Sequence, residues 1–264
     1  MTQAAEGILR EIDDGVGTIV LNQPDRHNAV TYDMWLGISA ALEAFNDDGA
    51  VRVIVVRGAG ERAFSAGADI SEFEERRASE KDIETYDHAA YVAHEDLRTT
   101  PKPTIAMVRG YCIGGGMGLA MCCDLRIAAE DARFAIPAAR LGIAYTLEDL
   151  RPLAELVGAS FAKEILFTGR QFDAKEALQM GLANRVVPAA GLERFVADYA
   201  RTIAGNAPLT IAAAKQTVAE VMKDPAERDL ERIERLVRAC YASEDYAEGR
   251  RAFMEKRKPV FRGR

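Results

Sequence analysis

Short apolar runs alternate with longer segments of helical periodicity along the first half of the chain. The runs at residues 8–12 and 18–21 flank Asp13-Asp14-Gly15, which predicts a β-hairpin. Residues 53–56 form a β-branched run, which predicts a buried strand. Between these strands, apolar side chains recur at helical spacing at Trp35, Ile38, Leu42 and Phe45, and Thr31 is placed to cap that helix.

The same alternation continues to about residue 187. A polar, charged segment at residues 81–98 predicts a helix that ends before Pro101 and Pro103. The next predicted elements are a strand at Thr104–Val108, a helix at residues 114–123, and strands at Leu125–Ala129 and Arg185–Val187.

Beyond residue 190 the pattern is entirely helical. Helices are predicted at Leu192–Ala204 and at residues 209–222, 226–242 and 246–256, with breaks at residues 205–208 and at Asp224-Pro225. We therefore predict an α/β core at residues 1–205, followed by a helical C-terminal segment at residues 206–264.

Composition narrows the classes of function. The 264 residues are 48% hydrophobic and 28% charged, as in ordinary globular proteins. A net charge of -7 argues against nucleic-acid binding. No uncharged run is long enough to span a bilayer, and no signal peptide is recognised, so a cytoplasmic location without membrane contact is expected. The spacing of Cys112, Cys122, Cys123 and Cys240 suits neither disulfides nor a zinc site, so no metal is expected.

The candidate chemistry lies in two glycine-rich segments, at residues 64–70 and 110–118. Each is typical of a strand, a tight turn and the start of a helix. Two such turns can direct two backbone N–H groups at one oxygen and stabilise negative charge there. Phosphate-binding motifs do not fit, because a P-loop needs lysine at Gly116 and a dinucleotide fingerprint needs glycine at Leu119. Either segment alone is equally compatible with a tight loop that binds nothing.

Taken with other segments, these two identify a family. Matching patterns occur at residues 23–29, 123–124, 167–169, 181–188 and 253–258. Over nearly its whole length the chain resembles the crotonase superfamily, the enoyl-CoA hydratase/isomerase family. The resemblance implies an α/β spiral of β-β-α units, with C-terminal helices that pack into a homotrimer or a dimer of trimers. It also implies an acyl-CoA thioester substrate, and because CoA belongs to the substrate, no separate cofactor is expected.

The resemblance also assigns residues to binding. The thioester oxygen is expected to be held by the backbone N–H groups of Ala68 and Gly115. Binding of the CoA moiety is expected along one set of residues, largely through the backbone: Arg26, Ala29, Ala66, Asp69 and Ile70. Phe253 and Lys256 match positions that contact CoA, often from a neighbouring subunit.

The acid and base of the family's hydratases are missing. Those enzymes use two glutamates, and the matching positions here are Gly118 and Ala138, neither of which can transfer a proton. Tyr145 and Glu148 lie just beyond Ala138 and are the candidate substitutes. Asp149 instead fits a capping box with Thr146 at the start of a helix.

Two other readings remain open. Residues 141–145 resemble the methylmalonyl-CoA decarboxylase branch, in which a tyrosine lies in the active site and the paired glutamates are absent. Loss of CO₂ generates the enolate without a base, although that branch has histidine where this chain has Ala68. A catalytically silent acyl-CoA-binding protein would also keep the binding pattern without the glutamates.

The remaining titratable side chains are expected to lie outside the chemistry. His27 falls in the early CoA-side loop. The resemblance places His88 and His94 on the polar helix that borders the acyl pocket; both are expected to be solvated, and lining of the pocket by either one is the alternative. Glu72, Glu74 and Glu75 are expected to form an exposed charge run, with one of them facing the acyl chain as the alternative.

Overall fold

The computed structural model describes residues 7–72, 76 and 78–264 of the chain. Its strands are, in chain order, β1 (Ile8–Asp13), β2 (Val16–Leu21), β3 (Val53–Gly58), β4 (Ala63–Ser65), β5 (Thr104–Val108), β6 (Tyr111–Ile113), β7 (Leu125–Ala129), β8 (Arg133–Ala135), β9 (Phe172–Asp173) and β10 (Arg185–Val187). Its helices are α1 (Tyr32–Asp47), α2 (Glu80–Thr99), α3 (Gly115–Cys122), α4 (Ala138–Leu141), α5 (Leu147–Thr168), α6 (Ala174–Gln179), α7 (Leu192–Ala204), α8 (Pro208–Val221), α9 (Leu230–Ala242) and α10 (Glu244–Met254).

Two sheets organise the core. The larger has the order β1-β2-β3-β5-β7-β10, with β1 and β2 antiparallel and the other neighbours parallel. The smaller has the order β4-β6-β8-β9. In the pairs β3/β4, β5/β6 and β7/β8 the first strand joins the larger sheet and the second the smaller. A helix follows each pair, so the predicted spiral of β-β-α units is confirmed.

The larger sheet is covered on both faces, which explains its β-branched strands. On one face Val53 and Val55 of β3 pack with Leu192 and Val196 of α7. On the other face Ile54 and Val56 pack with α1 and the smaller sheet. Because both sets of alternating side chains are buried, residues 53–56 form a continuous apolar run.

Local capping fixes where the helices begin. Thr31 accepts a hydrogen bond from the backbone N of Met34, which confirms the predicted cap of α1. Thr146 and Asp149 form the predicted capping box of α5. Helix α5 is interrupted at Gly158, where φ is +73° and glycine is required by the left-handed backbone.

The C-terminal segment is helical, as predicted. Lys215 of α8 bonds the Asp124 carboxylate at 2.8 Å and the Lys102 carbonyl at 3.1 Å, which anchors α8 to the core. Arg52 donates to the Phe261 carbonyl at 2.8 Å and holds the end of the chain. The domain boundary at residues 205/206 and the role of these helices in trimerisation remain predictions.

Candidate active site

The two glycine-rich turns meet where the smaller sheet ends. Gly67 has φ +100°, and a Cβ at this position would lie 2.9 Å from the Ile113 carbonyl oxygen and 3.2 Å from the Gly115 nitrogen. Only glycine permits both that backbone conformation and that close approach. The absence of a side chain at Gly67 therefore brings the turn after β4 against the turn after β6.

The N–H groups of Ala68 and Gly115 are both unused by the fold. Val30 pairs with the residues on either side of Ala68, donating to the Gly67 carbonyl at 2.7 Å and accepting from Asp69 N at 2.9 Å. Gly115 is the first residue of α3, so its N–H has no acceptor within the helix. Within the described residues, neither N–H donates a hydrogen bond.

These two donors lie close together. A Cβ on Gly115 would be 3.6 Å from the Ala68 nitrogen, so no side chain separates them. The N-terminus of α3 adds its positive dipole end at the same point. The arrangement can hold an oxygen that gains negative charge, which is the function expected of an oxyanion hole.

A buried hydrogen-bond network supports this hole from behind. Trp35 Nε1 donates to the Tyr86 hydroxyl at 3.2 Å, and that hydroxyl donates to the Val30 carbonyl at 3.2 Å. The Trp35 ring also lies 3.6 Å from the position of a Cβ on Gly115. Helices α1 and α2 thereby position both halves of the hole.

The loop that contains His27 and Asn28 is hydrogen-bonded to β4 and to the glycine-rich turn that follows it. The Ala66 N donates to the His27 carbonyl at 2.9 Å. The buried Asn28 side chain donates to the carbonyls of Ala59 and Ala63. Both His27 and Asn28 have positive φ, so this loop is held in a left-handed conformation beside the hole.

Asp69 links that loop to the turn through hydrogen bonds from several side chains. Its carboxylate is 4% exposed and accepts hydrogen bonds from the side chains of Gln23, Arg26 and Ser71. Burial raises the pKa of Asp69, but the bonds from Ser71, Arg26 and Gln23 outweigh burial and leave the pKa below its ordinary value. The side chain of Asp69 thus serves the loop, which leaves backbone groups to meet a ligand.

The residues expected to bind CoA are brought together in part. Arg26, Ala66 and Ile70 are exposed around the first turn, whereas Ala29 is buried and its carbonyl accepts from Gln23. Phe253 and Lys256 are exposed at the end of α10, which packs mainly on α9. Contacts between CoA and any of these residues remain a prediction.

The candidate substitutes for the missing glutamates lie at the surface. Tyr145 is 37% exposed, and burial together with the charge of Asp149 raises its pKa. Glu148 is exposed in the first turn of α5. Their roles in catalysis remain predictions. Gly118, by contrast, lies one turn into α3 from Gly115, and Ala138 is a buried residue at the start of α4.

The position of His94 differs from the one expected from the sequence. His94 was expected to be solvated, but its Nε2 is buried and has no hydrogen-bond partner among the described residues. Its ring centroid lies 5.1 Å from that of Trp35, and a Cβ on Gly118 would be 2.9 Å from Nε2. Because Gly118 has no side chain, the imidazole fills the space beside it.

Helical spacing could have revealed His94. The buried residues of α2 are Tyr86, Ala89, Ala93 and Leu97, and His94 follows Tyr86 by two helical turns. His88 falls off that stripe and is exposed, as expected. His27 is half-buried and packs edge-on against Tyr111.

The expectation of an exposed charge run after the first glycine-rich turn is wrong for Glu72. Glu72 is half-buried and accepts a hydrogen bond from Tyr32 N at 2.8 Å, so it is not simply an exposed charge. Glu74 and Glu75 lie outside the described residues. Nearby, a cleft of about 180 Å³ opens between α1 and α2, lined by Tyr32, Arg76, Asp82, Thr85 and Tyr86.

Within the described residues, no group of three His, Cys, Asp or Glu side chains could hold a metal ion. No helix within the same residues is long and apolar enough to cross a membrane. Burial raises the pKa of the Cys122 thiol to about 12, and those of Cys112 and Cys123 are raised further, so these thiols are unreactive.

Comparison with known proteins identifies the family. The sequence profile of the enoyl-CoA hydratase/isomerase family matches residues 11–264. Crotonyl-CoA hydratase of Syntrophomonas wolfei is 35% identical over 258 residues, covering 98% of both chains. Carnitinyl-CoA dehydratase of Salmonella typhi is 36% identical over 250 residues, covering 93% of this chain and 94% of its own.

A solved structure agrees in fold. An enoyl-CoA hydratase/isomerase family protein from Hyphomonas neptunium superposes with a TM-score of 0.93 at 36% identity, covering 99% of this chain and 100% of the other. The profile, the relatives and the structure all span nearly the full length. The chain therefore belongs to the enoyl-CoA hydratase/isomerase family of the crotonase superfamily.

Proposed function

We propose that this protein is an enzyme that converts an acyl-CoA thioester through an enolate held by the N–H groups of Ala68 and Gly115. The observation that carries the proposal is the convergence of these two unused backbone donors at the N-terminus of α3. Preorganised donors of this kind stabilise the charge that develops on a thioester oxygen, and removing one typically costs about 10²–10³ in rate.

Addition of water to a short enoyl-CoA is the reaction we favour. The two relatives named above are a hydratase and a dehydratase of CoA thioesters, so both handle water across a carbon–carbon double bond. In hydration, the water oxygen bonds to the β-carbon and gives up one proton, while the electron pair of the double bond moves toward the thioester oxygen. The enolate, stabilised by the oxyanion hole, then takes one proton at the α-carbon, so that one water is added in all.

Decarboxylation of a malonyl-type CoA is the second candidate. It is favoured by one observation: neither Gly118 nor Ala138 supplies a carboxylate near the hole. Cleavage of the bond to CO₂ leaves its electron pair on the α-carbon as the enolate, so no base is needed. An acyl group that carries a carboxylate would also avoid repulsion from a neighbouring glutamate.

One assay separates these reactions. The purified protein is incubated with crotonyl-CoA and with methylmalonyl-CoA separately, and the masses of the products are measured by mass spectrometry. Gain of one water on crotonyl-CoA supports hydration, and loss of CO₂ from methylmalonyl-CoA supports decarboxylation. If neither substrate reacts but both bind, the proposed enzymatic function is wrong for these acyl groups and acyl-CoA binding without turnover is the better description.

A further inference from the structure

We propose that His94 is the proton-transfer residue of this site, acting through Nε2 on the water and the α-carbon of a bound enoyl-CoA. This inference rests on the proposed function and goes further, because it assigns the acid–base role to a residue that the sequence alone placed on the surface. Three observations support it: an unpartnered buried nitrogen, its position beside the hole, and the missing side chain at Gly118.

The first observation concerns hydrogen bonding. Buried polar atoms in folded proteins are nearly always paired, and each exception calls for an explanation. Among the described residues, His94 Nε2 is buried without a partner. The backbone of Gly115 and Ala90 faces the imidazole, but no group meets Nε2 at hydrogen-bond geometry, which leaves this nitrogen to a water molecule or a substrate.

The second observation is position. His94 packs on Trp35 with ring centroids 5.1 Å apart, and Trp35 lies 3.6 Å from the position of a Cβ on Gly115. The imidazole and the oxyanion hole are thus two sides of one cluster around Trp35. We infer that a thioester whose oxygen lies in the hole would bring its carbon atoms toward this cluster.

The third observation is the space at Gly118. A Cβ there would lie 2.9 Å from Nε2 and 3.6 Å from Cε1 of the imidazole, so any larger residue would displace the ring. Gly118 is half-buried, and it places no side chain of its own against Nε2. Glycine at this position therefore gives His94 its place next to the start of α3.

The electrostatic environment keeps the imidazole of His94 neutral. Burial lowers the pKa of His94, and the backbone of Gly115 and Ala90 together with the charge of Asp149 oppose this only in part. The imidazole is therefore neutral near pH 7 and able to accept a proton.

His94 alone can carry out both proton transfers of the hydration. Neutral Nε2 takes a proton from water as the water oxygen bonds to the β-carbon and the electron pair of the double bond moves to form the enolate. The imidazolium then returns that proton to the α-carbon, and the electron pair of the enolate forms the new carbon–hydrogen bond. The product is a 3-hydroxyacyl-CoA, and His94 is again neutral.

The test compares His94→Gln with His88→Gln, an exposed histidine on the same helix. We measure kcat and KM for hydration of crotonyl-CoA, exchange of the α-protons of butyryl-CoA in D₂O, and binding of butyryl-CoA by calorimetry. We expect His94→Gln to lose about 10²–10³-fold in kcat and in exchange rate, with butyryl-CoA binding unchanged within about threefold. His88→Gln should match the wild type.

Rescue provides a readout that a structural role would not give. Added imidazole should restore part of the activity of His94→Ala, whose shortened side chain leaves room for it, and should not change the activity of the wild type. If His94→Gln does not fold, Gly118→Ala replaces it, because this substitution displaces the imidazole without removing it, and the same loss is expected.

Failure of the role of His94 and failure of the proposed hydration give different results. If the wild type hydrates crotonyl-CoA or exchanges α-protons and His94→Gln keeps both within about threefold, the role of His94 is overturned while the proposed function stands. If the wild type does neither and releases CO₂ from methylmalonyl-CoA instead, hydration is wrong and His94 has no such step to serve.

Discussion

At the scale of single residues, Tyr86 shows how a buried hydroxyl can position backbone atoms. It joins Trp35 on α1 to the Val30 carbonyl, and Val30 in turn pairs with the residues that flank Ala68. Oxyanion holes depend on donors that are fixed before charge develops. The hydroxyl of Tyr86 is therefore part of what holds the Ala68 N–H in place.

Replacing Tyr86 with phenylalanine tests this support. The substitution leaves Trp35 Nε1 buried without its acceptor, which should lower the free energy of unfolding by about 1–3 kcal/mol. Urea denaturation measures the change. Tyr91→Phe is the control, because Tyr91 lies on the same helix and is 50% exposed. Equal stability of the two variants would show that the Trp35–Tyr86 bond contributes nothing.

Gly116 presents a steric requirement next to the hole. A Cβ at this position would lie 2.5 Å from the Ser65 carbonyl oxygen and 2.7 Å from Ser65 Cβ. Gly116→Ala should push α3 away from β4 and destabilise the protein by about 1–3 kcal/mol. Thermal and urea unfolding measure this.

The matched control is Gly49→Ala, since a Cβ on Gly49 would have no atom within 4 Å. A Gly116→Ala variant as stable as Gly49→Ala would contradict the close packing of α3 against β4.

Residue identity allowed some parts of the site to be predicted and not others. The caps at Thr31 and Thr146 depend on side chains that bond within three residues, so the local sequence suffices. The hole itself was assigned by family resemblance, and Gly67 shows its physical basis. His94 was misplaced because its burial depends on Trp35 and Gly118, which are distant in sequence.

At the scale of elements, strand length decided what the sequence revealed. The strands of the larger sheet run from three to six residues, and their apolar runs predicted them. The strands of the smaller sheet contain two or three residues, too few to show any alternation. The glycine-rich turns follow two of those short strands. The sequence therefore predicted the turns but not the smaller sheet that aligns them.

Two carboxylates of α10 hold the end of the chain: Asp245 accepts from the backbone N of Arg262 and Gly263, and Glu248 holds residues 257–260. Glu248 accepts hydrogen bonds from Arg257, Arg251 and the backbone N of Val260. Arg257 above all, with Arg251 and Val260, holds the pKa of Glu248 far below its usual range. A carboxylate with a depressed pKa stabilises the folded form above its unfolded pKa, and this contribution is lost only as the pH falls through the folded pKa.

We therefore expect residues 257–260 to stay protected from pH 7 down to the ordinary glutamate range and to loosen only in stronger acid. Glu248→Gln should expose the same residues at pH 7, because it removes the charge that pairs with both arginines. Hydrogen–deuterium exchange of this segment measures the effect. Glu231→Gln on α9, whose carboxylate is exposed, should leave the segment unchanged.

At the scale of the whole molecule, the C-terminal helices expose unusually large apolar side chains. Phe253 is 83% exposed and Met254 80%, and Leu230 and Tyr241 are each 65% exposed. Apolar surface of this kind marks an interface with another chain. We expect a homotrimer or a dimer of trimers, with a mass three or six times the 28.8 kDa of one chain. Light scattering after size-exclusion chromatography measures it, and a monomer would contradict the prediction.

We expect assembly to give Lys256 a role that one chain does not display. Lys256 is exposed just beyond α10, and we expect its ammonium to bind the phosphates of CoA held by a neighbouring subunit. Lys256→Ala should then raise KM for crotonyl-CoA by about 3–10-fold, the effect of losing an exposed charge contact of about 1 kcal/mol, and leave kcat unchanged. Lys258→Ala removes an exposed lysine two residues away and should have no effect.

The split between KM and kcat separates this contact from a structural role. A binding contact made equally by substrate and transition state changes KM alone, whereas a disturbed interface would change the mass measured by light scattering as well. If Lys256→Ala keeps both its KM and its oligomeric mass, the side chain is a solvated charge and CoA is bound without it. If KM rises while the mass is constant, the site of one subunit is completed by the helix of another.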